Sequence, residues 1–281
     1  AAGALTIQSC NSTGIDLQNT SRPSFDGVDV IGCGGAAFIN ILWSAFAGFT
    51  DIQATGNTGG NYMKVNSLTV GSAVEVYKHN YPGGAIVVET NVNVNVGNSL
   101  TFGPGVVLKF RSNYAVSVLG ALNFLGTAAD PIVLTNWTDD DFGGDTNQDG
   151  PSAGVVGAWS AVNYNAPNAF CKVENLLIRY CGSFGNTAFV ANSALVSLQS
   201  IRVEHVYAGG FQLNAIYDEV DNLVVHAAGG FGIRIHIVPL ILRHATVQGC
   251  GGVGIEFTGA ALGQIRSSIS WGNSGGNYAG V

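Results

Sequence analysis

The sequence predicts an all-β fold, a right-handed single-stranded parallel β-helix (β-solenoid) with coils of about 21–25 residues. Three observations predict it. A long unit recurs: Gly56-Asn57-Thr58-Gly59-Gly60-Asn61-Tyr62 returns as Gly272-Asn273-Ser274-Gly275-Gly276-Asn277-Tyr278 after 216 residues, and Gly32-Cys33-Gly34-Gly35 returns as Gly249-Cys250-Gly251-Gly252 after 217. A short period runs inside it: Ile7, Val30, Ile178 and Val247 each stand three positions before a cysteine, at Cys10, Cys33, Cys181 and Cys250. Between these frames no stretch carries an apolar stripe at helical spacing, and the fixed Leu/Asn pattern of a leucine-rich repeat is missing.

In chain order, residues 1–62 read as the C-terminal coils of a first unit. Their frame runs from Cys10 to Cys33 and on to Thr55. Ile7 and Val30 find Val224 and Val247 at the spacing of 217. Residues 63–90 show no frame and read as an irregular junction with one or two edge strands. Residues 91–281 read as a second unit. It opens on Asn91-Val92-Asn93-Val94-Asn95-Val96, whose strict alternation places Val on one face and Asn on the other. Leu100/Phe102, Val116/Val118, Leu122/Phe124 and Ile132/Leu134 continue the alternation, broken by glycines. From Cys181 the frame passes through Val206 and Ala227 to Cys250. A single coil cannot bury its own apolar face, so neighbours stack about 4.8 Å apart and share one core. Parallel crossovers are overwhelmingly right-handed, which sets the expected hand.

Composition narrows the partners. Charged residues are 10% of the 281, against roughly 25% in an average domain. A net charge of −7 with 11 Lys plus Arg leaves no basic stripe, so nucleic acid is not an expected partner. No apolar run approaches the roughly 18 residues of a membrane helix, and no membrane span is expected. The start, Ala1-Ala2-Gly3, has no charged region or apolar core of a signal peptide. Few lysines and many Asn, Thr, Ser and Gly point to an extracellular or cell-surface location.

The segment Leu100-Thr101-Phe102-Gly103-Pro104-Gly105-Val106-Val107-Leu108-Lys109-Phe110 resembles the opening coil of bacterial right-handed parallel β-helix repeat proteins. The resemblance continues through Val118-Leu119-Gly120-Ala121-Leu122, Gly126-Thr127, Asp130-Pro131-Ile132-Val133-Leu134-Thr135, Gly143-Gly144-Asp145-Thr146-Asn147 and Trp159. It implies the fold, and a secreted or surface location in long bacterial chains. It implies no activity, because the same solenoid carries lyases, hydrolases, adhesins and inert stalks.

Candidate chemistry begins with Asp145-Thr146-Asn147-Gln148-Asp149-Gly150, in which Asp145, Asn147 and Asp149 offer alternate oxygens before a turn-making glycine. That pattern suits a hard cation such as calcium in a structural role, and Asp139-Asp140-Asp141 stand near enough in sequence to lend carboxylates. Val156 occupies the position where a twelfth-place acid would complete the loop, and the same residues also make an ordinary turn. No other cofactor is required by this reading. Sugar chemistry would need two acids about 5–9.5 Å apart. Asp218, Glu219 and Asp221 lie together, with Glu204 or Glu256 on other coils, but the Asn-Thr-Asp, Asp-Asp and Gly-His-Gly series of polygalacturonase-type hydrolases is absent. Arg179 and Glu204 share a frame position and read as a surface ion pair. His205 and His226 read as neighbours on adjacent coils, and His236 and His244 as a second close pair. The cysteines form no CxxC pair, so zinc has no support; they read as a stack of small buried thiols, with a disulfide between Cys10 and Cys33, one coil apart, as the alternative. Trp43, Phe46 and Phe49 read as core or junction packing. Asn11, Asn19 and Asn136 open glycosylation sequons.

These features point to a non-catalytic extracellular structural or adhesive rod module, built from tandem units. The alternative is a polysaccharide-active or carbohydrate-binding β-helix, with glycans as partners. Because the chain starts and stops inside the repeat, its end coils are expected to continue end to end, within a longer polypeptide or between subunits of a filament.

Overall fold

The computed structural model describes residues 5–18, 23–165, 171–193, 197–214, 219–236, 240–259 and 263–280. It is a parallel β-solenoid of about 11 turns. Among the described residues, helix is confined to three short 3-10 segments, Trp43–Gly48, Lys78–Asn80 and Ser183–Gly185.

From residue 63 onward each turn contributes to three faces. The first face is nine strands deep, from Thr69–Val70 through Val92–Val94, Val116–Val118 and Val162–Tyr164 to Ile255–Thr258 and Tyr278–Ala279. The second begins with Ala73–Val76, Ser99–Phe102 and Ala121–Leu125. The third begins with Met63–Val65, Ile86–Val88, Val107–Phe110 and Ile132–Asn136. Lys172–Arg179, Ser197–Val206 and Glu219–Ala228 run across the second and third faces in one bent strand.

The bend is made by a column of left-handed residues, Asn175, Ser200, Asn222, His244 and Ser267, with φ between 47° and 56°. A second column turns the chain off the third face at Tyr180, His205, Ala227, Gly249 and Gly272. Non-glycine residues in this conformation each carry roughly 1–2 kcal/mol of strain, so their stacking marks a corner imposed by the solenoid rather than by local preference.

Alternation built the core as expected. Leu100, Phe102, Val116, Val118, Leu122, Phe124, Ile132 and Leu134 are all buried. Phe102 stacks on Phe124 at 5.6 Å, and Phe110 on Trp159 at 4.3 Å. Trp43, Phe46 and Phe49 are fully buried, with Trp43 edge-on to Phe102. The aliphatic frame also holds, since Ile178, Val203, Val225 and Val247 follow one another in register. The alternating run at 91–96 stops short: its strand is Val92–Val94, and Val96 is 78% exposed because Gly97 has already begun the turn.

Two frame assignments shift. The residue between Val206 and Cys250 is Ala228, not Ala227, because Val206 pairs with Ala228 and Val225 with Val247. Cys33 is followed by Asn57, not Thr55, because Ile31 pairs with Thr55. For the same reason Ile7, which pairs with Val30, corresponds to Val225 rather than Val224. The junction at 63–90 contains two edge strands, Thr69–Val70 and Ala73–Val76, but Met63–Val65 and Ile86–Val88 are interior members of the third face.

The long repeat is reproduced in backbone detail. Gly32, Gly56 and Gly27, Asp51 are left-handed, as are their counterparts Gly249, Gly272 and His244, Ser267. Gly35 and Gly59 lie flat on the turn above, where a Cβ on Gly59 would meet Gly35 C at 2.4 Å; Gly252 and Gly275 repeat the contact at 2.7 Å. Asn57 accepts the Cys33 N–H at 2.9 Å and Asn273 the Cys250 N–H at 2.9 Å, and each is locked by the Asn four residues on. The cysteine column therefore ends in an asparagine that supplies hydrogen bonds to buried backbone. Asn57 also donates to the Val30 carbonyl at 2.9 Å. Asn57→Ala leaves both groups unpaired and is expected to cost roughly 2–4 kcal/mol. Urea unfolding measures this, and a loss below ~0.5 kcal/mol would mean that the amide is dispensable.

The two copies are nevertheless out of phase. Phe38 and Ile255 hold equivalent places, 217 residues apart, yet Phe38–Ile41 pairs into the third face while Ile255–Thr258 lies on the first. The strands Leu5–Gln8, Phe25–Ile31 and Phe49–Thr55 form a separate three-stranded sheet that ends at Phe49–Thr55. The seam between units is thus a slip by one face.

Candidate functional site

Between Ile132–Asn136 and Val162–Tyr164 the chain leaves the solenoid and folds back over its third face as a strap. The strap crosses the seam. Trp137 meets Tyr62 edge-on at 5.4 Å, and Gln148 Nε2 donates to the Asn57 carbonyl at 3.0 Å. Gly143 lies against Gly84 so closely that a Cβ on Gly84 would stand 1.8 Å from the Gly143 carbonyl oxygen. One excursion of the second unit therefore grips residues of the first.

Two buried cations hold the strap down. Lys109 is fully buried on its strand, and its Nζ donates to the Gly144 carbonyl and to Thr146 Oγ1 at 3.0 Å. Burial lowers its pKa, against the pull of Asp140, Asp139 and Asp145. Arg179 is 8% exposed and binds Asp139 at 3.0 Å, Asp141 at 2.9 Å and Glu204 at 3.6 Å. Burial opposes its charge, but hydrogen bonding to Asp141 and the Asp139 carboxylate outweigh it, so its pKa is raised. The expected Arg179–Glu204 pair is present but buried, because the strap covers the corner where it lies.

Three acids remain. Carboxylate oxygens of Asp140, Asp145 and Asp149 all lie within 4.8 Å of one another. Asp145 accepts the Gly150 N–H at 3.0 Å, and Asp140 Oδ2 accepts the Ser152 N–H at 2.8 Å. Asp140 Oδ1 and Asn147 Oδ1 are buried with no hydrogen-bond partner. Asp139, Asp140, Asp141, Asp145 and Asp149 are five negative charges; Lys109 and Arg179 supply two positive ones, leaving three uncompensated. An all-oxygen donor set with two unpartnered oxygens fits a hard cation of the calcium type. Of the residues expected from sequence, Asp145 and Asp149 come together, Asn147 sits on the same loop, and Asp140 completes the trio. Lys109 was not foreseen, although a lone charge inside Val106-Val107-Leu108-Lys109-Phe110 was its signal.

The other candidates disperse. Glu256 pairs with Arg234, Asp221 with His244 at 2.6 Å, and Glu204 with Arg202 and Arg179. Asp218 lies outside the described residues, as does the sequon asparagine Asn19. His205 and His226 are neighbours, with ring centroids 5.4 Å apart, while His236 turns to Thr258 at 2.8 Å. The five cysteines are free thiols. Burial raises the pKa of Cys171, Cys181 and Cys250, which suppresses the thiolate that a nucleophile would need. Asn136 is 4% exposed, which closes its sequon to modification in the folded chain.

No protein-family model, no curated protein and no solved structure matches this chain.

Proposed function

We propose that the chain is a non-catalytic structural or adhesive rod module of a secreted bacterial surface protein, built from tandem units and continued end to end. The observation that carries this reading is the backbone-level repeat of the Gly/Asn/Cys corners some 217 residues apart, inside one continuous core. A repeat of whole turns lengthens a rod and multiplies weak contacts, which raises avidity. Because the seam slips by one face, each added unit presents its surface one face further around the axis.

The test is an extended chain carrying a second copy of residues 66–281. Small-angle scattering is expected to show its longest dimension growing by about 48 Å, from about ten turns at ~4.8 Å each. A collapsed or aggregated product, or cleavage of any polysaccharide by the purified chain, would count against the rod.

The acidic loop serves this role as a cation-stiffened clasp. Asp140, Asp145 and Asp149, with Asn147, would hold calcium, neutralise the residual charge and fix the strap across the seam. Calcium at about 100 times its dissociation constant is expected to stabilise the fold by ~2.7 kcal/mol. Asp145→Asn with Asp149→Asn should abolish that gain. A melting midpoint indifferent to both calcium and chelator would remove calcium from this account.

A further inference from the structure

The slip at the seam opens a groove on the second face, lined by no residue of the strap. The sheet that ends at Phe49–Thr55 does not pair with Ala73–Val76, the first strand of the second face. Asn80 covers part of that bare edge by donating to the Phe49 carbonyl. The remaining gap is a groove of about 450 Å³, floored by the strands of Ala73–Val76 and Ser99–Phe102 and walled by Ala47, Thr50 and the Tyr77–His79 pair. That volume falls within the ~300–1,000 Å³ of small-molecule sites.

Its lining sets the polar groups of Glu75, His79, Ser99 and Thr101 beside the ring of Tyr77. The outward residues of the floor, Glu75 and Thr101, lie side by side in register, with Ser99 beside Ala73. Tyr77 and His79 stack nearly parallel, 5.6 Å apart and 7° from coplanar. Tyr77 is held flat on Gly103, where a Cβ would stand 2.2 Å from its ring, and its hydroxyl donates to Glu75 Oε2 at 3.0 Å. The aromatic pair is therefore preset, and Glu75 keeps a second carboxylate oxygen free of the Tyr77 hydrogen bond. Among the described residues, no Lys or Arg lines the groove.

We infer that this seam groove binds a neutral oligosaccharide. A sugar ring has an apolar face for the His79–Tyr77 stack and hydroxyls for Glu75, Ser99 and Thr101. An unbranched run of sugars fits a trough open at its surface. A uronate chain is disfavoured, because its carboxylates would face Glu75 in a chain of net charge −7 with no cation to receive them.

The test titrates the whole chain with hexamers of β-1,4-linked glucose, mannose and N-acetylglucosamine, with hexagalacturonate as the acidic arm, reading amide shifts by NMR. At least one neutral hexamer is expected to shift the signals of residues 73–80 and 99–101 saturably, and hexagalacturonate to leave them unmoved. His79→Ala should weaken binding about tenfold, Glu75→Gln by at least as much, and Ala73→Trp should block it by filling the groove. All three side chains are exposed, so the melting midpoint should stay constant. Preference for the acidic hexamer, shifts confined to another surface, or no shift from any neutral hexamer would overturn the inference. None of these outcomes bears on the rod reading, which the extended chain tests separately.

Discussion

Arg179→Ala is expected to destabilise the protein by about 3–5 kcal/mol, among the largest single losses the fold can suffer short of a core aromatic. The loss follows from what the guanidinium leaves behind. Asp139 is fully buried, and its other hydrogen bonds come from the Thr135 hydroxyl at 2.5 Å and the Asp141 N–H at 3.4 Å. Without Arg179 its charge is stranded under the strap, and Glu204 loses a partner in the turn below. The Arg179 guanidinium also lies over the rings of Phe142 and Tyr180, at 5.2 and 4.8 Å, so packing is lost with the charge. Asp139→Asn with Arg179→Met should recover part of the stability, because no charge is then stranded at the fully buried position 139. Urea unfolding of the single and double variants measures this. If the single substitution cost less than ~1 kcal/mol, the strap would be held by something other than this ion network.

Stability is also expected to fall steeply between pH 10 and pH 12. Tyr81 is 2% exposed, and burial raises its pKa from 10.0 to about 12. In the unfolded chain the phenol ionises near its ordinary value, so over this window the folded state holds the proton longer. The Tyr81 contribution is complete below pH 10 and is lost as pH climbs through the folded value. Two pH units at ~1.36 kcal/mol each make about 2.7 kcal/mol. Tyr164, fully buried and donating to the Leu122 carbonyl at 3.1 Å, is raised for the same reason and acts in the same direction. Lys109 acts the other way: burial depresses its pKa, so the cost of its charge is relieved as pH rises toward 10.5. Above that pH only the tyrosines still act among these three groups. Tyr81→Phe should flatten the decline, at the expense of the acceptor for the Val107 N–H. A urea midpoint that stays level from pH 10 to pH 12 would show that both phenols reach solvent before the fold opens.

Periodicity made the fold legible, and it did so through small side chains. Cys, Val, Ala and Asn at the shared column position all fit the same corner, so the column survives without sequence identity. That tolerance also explains the misplacements at Thr55 and Ala227. Turn length varies, with Ile31 to Thr55 spanning 24 residues and Val206 to Ala228 spanning 22, and a one- or two-residue error still lands on a small residue. The acidic loop was legible because Asp145, Asn147 and Asp149 are close in sequence. The groove was not, because Phe49 and Ser99 come together only across a gap in the sheets.

From its residues alone, this chain declares a stack of parallel turns, a duplicated stretch of corners and an oxygen-rich loop. Each of these is written in side-chain alternation or in short-range spacing, which act within a turn or between one turn and the next. Tertiary structure alone decided that the duplicated stretches meet one face out of step, that Lys109 and Arg179 pin the strap across that seam, and that a groove opens where a sheet stops. Those outcomes depend on which strand hydrogen-bonds to which and on charges desolvated together from distant parts of the chain, and no local pattern encodes either.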